Sequence, residues 1–188
     1  MKKIMFNDLY RLTQAVLEGW KTQTRRITKI EDIVPDVTRY PRSYPYAHYN
    51  VGEEVAVAQS YYDIEQEFVN HKIHEYPFSE FPFGEAPINA AGWKNKMFTK
   101  AKYLPHRIKI TNVRVERLQD ISEEDCLKEG IYESLEAPYN KKKYGCYNSN
   151  INASSPREAF AALIDKTCGR GTWDSNPWVF VYDFELIK

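Results

Sequence analysis

Apolar residues recur along this chain at two periods, and the switches between them mark its elements. In NPWVFVYDFELI near the C-terminus, Trp178, Phe180, Tyr182, Phe184 and Leu186 alternate with Val179, Val181 and Ile187. Both phases are apolar, which predicts a strand buried on both faces. In RIKITNVRVERL, residues 107–118, the apolar phase runs Ile108, Ile110 and then shifts to Val113, Val115; such a shift predicts a bulge near Asn112 or two shorter strands. A third strand is predicted over residues 54–61, after the turn glycine Gly52, and a short one over residues 3–6. Helical spacing places Leu9, Leu12, Val16 and Leu17 on one face, with Asn7 or Asp8 as N-cap and Gly19 as the stop. Ser122 predicts the cap of a short helix with acidic residues in its first turn, Glu129 in its last turn and Gly130 at its end. Ser155, Pro156 and Glu158 open another helix, through Phe160, Leu163 and Ile164 to Gly169.

Between these elements the periodicity lapses. Residues 28–50 read as a connecting loop, and residues 132–153 as a polar, mobile loop carrying Lys141, Lys142 and Lys143 beside Tyr144. From residue 62 to 105 the chain breaks into aromatic and proline clusters, a stretch long enough to be an insertion that overhangs a site. Strands separated by short helices predict a small mixed α+β domain around a curved sheet, with a half-closed β-barrel compatible with the pattern. The expectation is one domain over residues 1–188 with insertions at about 62–100 and 132–153.

Composition narrows the function classes. The 26 basic residues cancel the 26 acidic ones, so contact with nucleic acid has to come from a local basic patch. Cys126, Cys146 and Cys168 stand far apart without a CxxC pairing, as in a reduced, cytoplasmic protein. Nowhere does the chain approach the roughly 20 consecutive apolar residues of a membrane helix, so no membrane partner is expected.

The densest chemistry lies in GWKTQTRRI, residues 19–27. Lys21, Arg25 and Arg26 supply positive charge, while Thr22 and Thr24 supply hydroxyls that donate, accept or attack. An anionic or polar visitor fits that set, and Trp20 is the ring best placed to stack on a base. The alternative is a surface segment whose cations pair with neighbouring acids and whose threonines satisfy a turn. Residues three apart face opposite sides of a strand, so Lys21 and Thr24 converge only if the chain between them turns.

Read together, a helix ending in Gly19, GxKTxTxR over residues 19–26, a GEEV strand entry at Gly52, ITNVRVERLQDISEEDCLKEGI and the terminal WVFVYDFELI resemble the ASCH domain of the PUA-like superfamily. The resemblance is strongest to its phage and prophage branch, through RVERLQDISEEDCLKEGI, PREAFAALID and the segment around Trp173, Asn176, Pro177 and Trp178. It implies a PUA-like curved sheet or β-barrel with short helices at its openings, and a GxKTxTxR cleft that takes RNA or a nucleotide through Trp20, Lys21, Thr22, Thr24, Arg25 and Arg26. Some ASCH proteins are amidohydrolases that deacetylate acetylcytidine with a lysine, a threonine and a glutamate; the motif carries these roles onto Lys21, Thr24 and Glu129. A phage accessory protein acting by protein contacts is the further alternative. The strand after the turn glycine, which in this branch reads like WVRE, here has Ala56, Val57, Ala58 and Gln59.

The amide chemistry would need Thr24 as nucleophile, Lys21 as a base with lowered pKa, and Glu129 to orient Lys21 or pass a proton. His71 and His74 have HxxH spacing with no third ligand signalled, so neither metal nor cofactor is expected. Tyr61, Tyr62, Phe78, Phe81, Phe83 and Trp93 could stack bases or pack the insertion. The expected partner is RNA or a modified nucleoside; oligomeric state is left open.

Overall fold

In a computed structural model that describes residues 1–28, 47–75, 78–79, 87–134 and 142–187, the chain is α+β. Its strands are β1 (Lys3–Ile4), β2 (Gln23–Ile27), β3 (Glu54–Val57), β4 (Arg107–Arg117), β5 (Tyr132–Glu133), β6 (Tyr144–Gly145) and β7 (Trp178–Ile187). The helices are α1 (Leu12–Leu17), α2 (Tyr61–Val69), α3 (Glu123–Lys128), α4 (Pro156–Cys168) and α5 (Thr172–Ser175). Five strands form one mixed sheet in the order β1-β3-β4-β7-β2. β1 and β3 run parallel, whereas β3–β4 and β2–β7 are antiparallel. Among the described residues β1 and β2 are the two edges, so the sheet is open and the expected barrel is not closed.

The chain divides into two compact units. The first comprises Met1–Phe6, Glu54–Lys109 and Leu186–Lys188. Its core gathers Ala56, Tyr61, Ile64, Phe78, Tyr103 and Leu104, with the Tyr61 ring edge-on to Phe78 and Tyr103. The predicted strand over 54–61 stops at Val57, and Tyr61 instead opens α2. Ser60 and Asp63 form a reciprocal capping box, and two satisfied N-terminal donors favour a helix over further strand. Tyr61 and Phe78 are thus packing residues; Phe81 and Phe83 lie outside the described residues. His71 and His74 fall beyond the end of α2, in turn and bend conformations, and share no helix face.

The second unit comprises Asn7–Glu53 and Ile110–Glu185. α1 starts later than its apolar spacing predicts: Asp8 accepts from the Arg11 amide and the Thr13 hydroxyl, holding residues 8–11 in turns, and Leu9 is exposed. Gly19, at φ 81°, ends the segment as expected. α4 follows its sequence signal closely. Ser155 caps it through the Glu158 amide, Pro156 occupies the first turn, and Pro156, Ala159, Phe160 and Leu163 form the buried stripe. α4 packs against α3 and α5. The Trp173–Trp178 region is tied to the end of β4, because Asn176 accepts from the Gln119 amide and the Gln119 side chain donates to the Trp173 carbonyl. Of the region expected to be a mobile loop, β5 and β6 form a two-stranded antiparallel pair, Lys142 pairs with Glu133, and Lys141 lies outside the described residues.

The phase shift in β4 also has a physical source. The strand runs from Arg107 through Arg117 without dividing in two. From Asn112 onward one of its faces carries Asn112, Arg114 and Glu116, so the apolar residues move to Val113 and Val115.

Candidate functional site

The GxKTxTxR segment links α1 to β2 inside the second unit. Its first cation turns inward. Lys21 is 2% exposed, and its ammonium donates to the Gln23 carbonyl, the Glu129 carbonyl and Glu129 Oε2, each at 2.7 Å. Three acceptors match the three protons of a charged lysine. Burial lowers the Lys21 pKa below the usual 10.5, outweighing the charge and hydrogen bond of Glu129, which raise it. Glu129 caps the C-terminus of α3, and the chain then turns at Gly130 with φ 104°.

Glu129 is also the meeting point for Arg25, whose Nη1 donates to Glu129 Oε1 at 3.0 Å and to Gln23 Oε1 at 2.5 Å. The rest of the Arg25 guanidinium reaches Glu116 Oε1, from Nη2 at 2.6 Å and Nε at 3.0 Å, and Asp125 Oδ2 at 3.3 Å. Arg114 closes the web on Asp125 at 2.6 Å, Asp183 at 2.7 Å and Glu116 at 3.1 Å. Gln23 Nε2 adds a 2.5 Å bond to Asp183. Phe160 of α4 lies 5.9 Å from the Arg25 guanidinium, and both residues are buried. Burial lowers the Arg25 pKa, but Glu129 and Glu116 more than offset it, for a net rise. For Asp125 burial pushes upward, while the Lys128 hydrogen bond and the charges of Arg114 and Arg25 hold it below its ordinary 3.8.

Strand geometry separates the remaining candidates. Gln23 and Arg25 share the β2 face that meets Glu129, so Thr24 and Arg26 point to the other face. Thr24 is buried beside its cross-strand partner Tyr182, and its hydroxyl makes no hydrogen bond to Lys21 or Glu129. The structure thus brings Lys21, Arg25 and Glu129 together and leaves Thr24 outside their hydrogen bonds. Arg26 is exposed, Thr22 is half-buried with its amide bonded to the Lys128 carbonyl, and burial raises the nearby Tyr49 hydroxyl to about 12.

Trp20 faces a different space. A cavity of about 820 Å³ is lined by Trp20, Leu127, Lys128, Ile131, Tyr132, Glu133, Ser134 and Tyr147. The Trp20 and Tyr147 rings meet edge to face at 5.7 Å, and Tyr132 lies at a 31° tilt against Tyr147 at 4.6 Å. The Trp20 indole N–H donates to Glu18 at 2.9 Å, which fixes the ring. Gly130 stands behind it: a Cβ there would lie 2.9 Å from Leu12 and 4.0 Å from Trp20. Tyr132 and Tyr147 were invisible to sequence reasoning because they sit in the stretch read as a polar loop, where β5 and the turn after β6 present them. The only signal was that tyrosines interrupt an otherwise polar segment.

Comparison with family models, with curated proteins and with solved structures finds no match to this chain.

Proposed function

We propose that the chain binds a nucleobase-containing ligand, RNA or a nucleotide, beside the GxKTxTxR segment. The observation that carries this reading is the 820 Å³ cavity walled by Trp20, Tyr132 and Tyr147. Ligand pockets of roughly 300–1,000 Å³ take small planar molecules, and aromatic faces stack on every base. The cavity lies against the same α3–Gly130 turn that supplies Glu129 to Lys21, so one local structure supports both the ring wall and the buried ion pair. The ASCH and PUA-like resemblance remains part of this proposal; a mixed sheet with α3 packed beside β2 is compatible with it. The test is equilibrium binding of single-stranded RNA and of free nucleosides to the intact protein and to Trp20→Ala and Tyr147→Ala. Binding that both substitutions weaken supports the reading, and no binding of either ligand class defeats it.

One observation favours a second reading, amide hydrolysis on an acylated nucleoside such as acetylcytidine: the 2.7 Å contact between Lys21 and Glu129. To act as base, Lys21 would have to give up one of its three donated hydrogen bonds, and Thr24 would have to reach a substrate from the other face of β2. Deacetylation of acetylcytidine that is lost in Lys21→Ala, Thr24→Ala and Glu129→Gln under conditions where each variant is still folded supports this reading. Absence of turnover by the unaltered protein retires it.

A further inference from the structure

Arg11 stands beside the cavity in a backbone conformation that few side chains accept. Residues 7–12 close a tight turn, in which the Leu12 amide donates to the Asn7 carbonyl at 2.9 Å and the Arg11 amide to the Asp8 carbonyl at 3.0 Å. The residue that completes the reversal is Arg11, at φ 52° and ψ 27°. Glycine or asparagine usually fills such a left-handed position, because a Cβ there crowds the following carbonyl oxygen. An arginine gains nothing from the turn itself, and its side chain makes no capping bond to α1 although it occupies the N-cap.

The side chain runs to the cavity wall. Arg11 is exposed, and its guanidinium lies 5.8 Å from the centroid of Tyr147, which lines the cavity with Trp20. Lys128 in the lining already holds Glu124 and Asp125, each at 3.2 Å, and Lys142 holds the lining Glu133 at 3.1 Å. Arg11 instead rests on a ring, and among the described residues no carboxylate pairs with it. An aromatic face orients a guanidinium without occupying its donors, so the fork stays able to take two oxygens of one phosphate. A nucleotide carries its phosphate one ribose away from its base, and Arg11 stands one side chain outside the cavity. We infer that Arg11 is a ligand-binding residue of this site, and that it takes the phosphate of a nucleotide whose base enters the Trp20 cavity. The left-handed strain is what holds the guanidinium at that wall. This inference rests on the proposed base binding at the same cavity, and adds the residue that tells a nucleotide from a nucleoside.

Ribonucleosides and their 5′- and 3′-monophosphates are titrated separately into the full chain, with the Trp20 indole N–H and the Arg11 Nε–H followed by NMR. At about 0.05 M salt one of the two monophosphates should bind about tenfold or more tightly than its parent nucleoside, and that advantage should shrink several-fold at about 0.5 M salt. Arg11→Gly should abolish the advantage and leave nucleoside affinity within about threefold. It should also keep or raise the midpoint of urea unfolding, since glycine relaxes the left-handed turn; a residue kept for the fold would lower it. Arg11→Gln, which keeps the side-chain length and the turn but not the charge, should lose the advantage as well, and Arg11→Lys should retain part of it. If nucleosides bind and neither monophosphate binds more tightly, or if the advantage survives in Arg11→Gly and Arg11→Gln, the inference falls while base binding stands. If neither nucleosides, monophosphates nor single-stranded RNA shift the Trp20 resonance, both fall.

Discussion

Glu129 gathers the buried charges. One of its oxygens meets Lys21 and the other Arg25, and both partners are only 1–2% exposed at the side chain. Replacing it by glutamine leaves two buried cations short of a counter-charge, and removal of one partner from a buried pair typically costs about 3–5 kcal/mol. Glu129→Gln should therefore lower the midpoint of urea unfolding sharply, whereas Glu124→Gln, whose carboxylate is exposed, should change it little. Asp125 makes the same network pH-dependent. Its folded pKa lies below the ordinary 3.8, so its stabilisation is complete above that value and is lost as pH falls through the folded pKa. Acid unfolding of the intact protein and of Asp125→Asn should show a stability gap at neutral pH that closes in strong acid; a gap independent of pH would contradict this.

At the scale of elements, α3 and α4 follow local codes that are legible in the chain. Ser122 and Ser155 cap them through the amides three residues on, and Gly130 and Gly169 end them with positive φ. The same code at Ser60 and Asp63 opens α2, but the small apolar residues after Glu54 read as a strand continuing to Tyr61. Harder to see was the polar web on β4. Asn112, Arg114 and Glu116 look like an ordinary solvated face until α3 and β2 bring Asp125, Glu129 and Arg25 to it, and such long-range pairing has no local signature. The Lys21–Thr24 pairing depended on a turn between them. A turn there would have joined them, but β2 begins at Gln23 and its pleat turns Thr24 away. Gly130 offers a test of how the α3 end supports the cavity. Alanine there is strained by φ 104° and would press on Leu12 at 2.9 Å, so Gly130→Ala should cost about 1–3 kcal/mol in thermal or urea unfolding. It should also shift the Trp20 indole resonance.

Across the whole molecule, the two units call for separate measurements. In the first, the Lys3 ammonium donates to the carbonyls of Lys96, Met97 and Thr99, at 3.0, 2.6 and 2.7 Å, and holds that irregular stretch to β1. Lys3→Met should raise amide exchange over residues 96–101 by about tenfold or more, as expected when a charged donor to several carbonyls is removed. Exchange in α3 and α4 should be unchanged; equal acceleration there would mean that the units open together. The second unit holds the proposed function, in which an aromatic cavity reads a base while Lys21 and Arg25 hold the fold.

That claim is tested most directly by the structure of the protein bound to a single free nucleoside. The account predicts the base in the cavity lined by Trp20, Tyr132 and Tyr147, with Lys21 still on Glu129. A nucleoside seated instead on the Thr24 and Arg26 face of β2, with the Trp20 cavity empty, would contradict it.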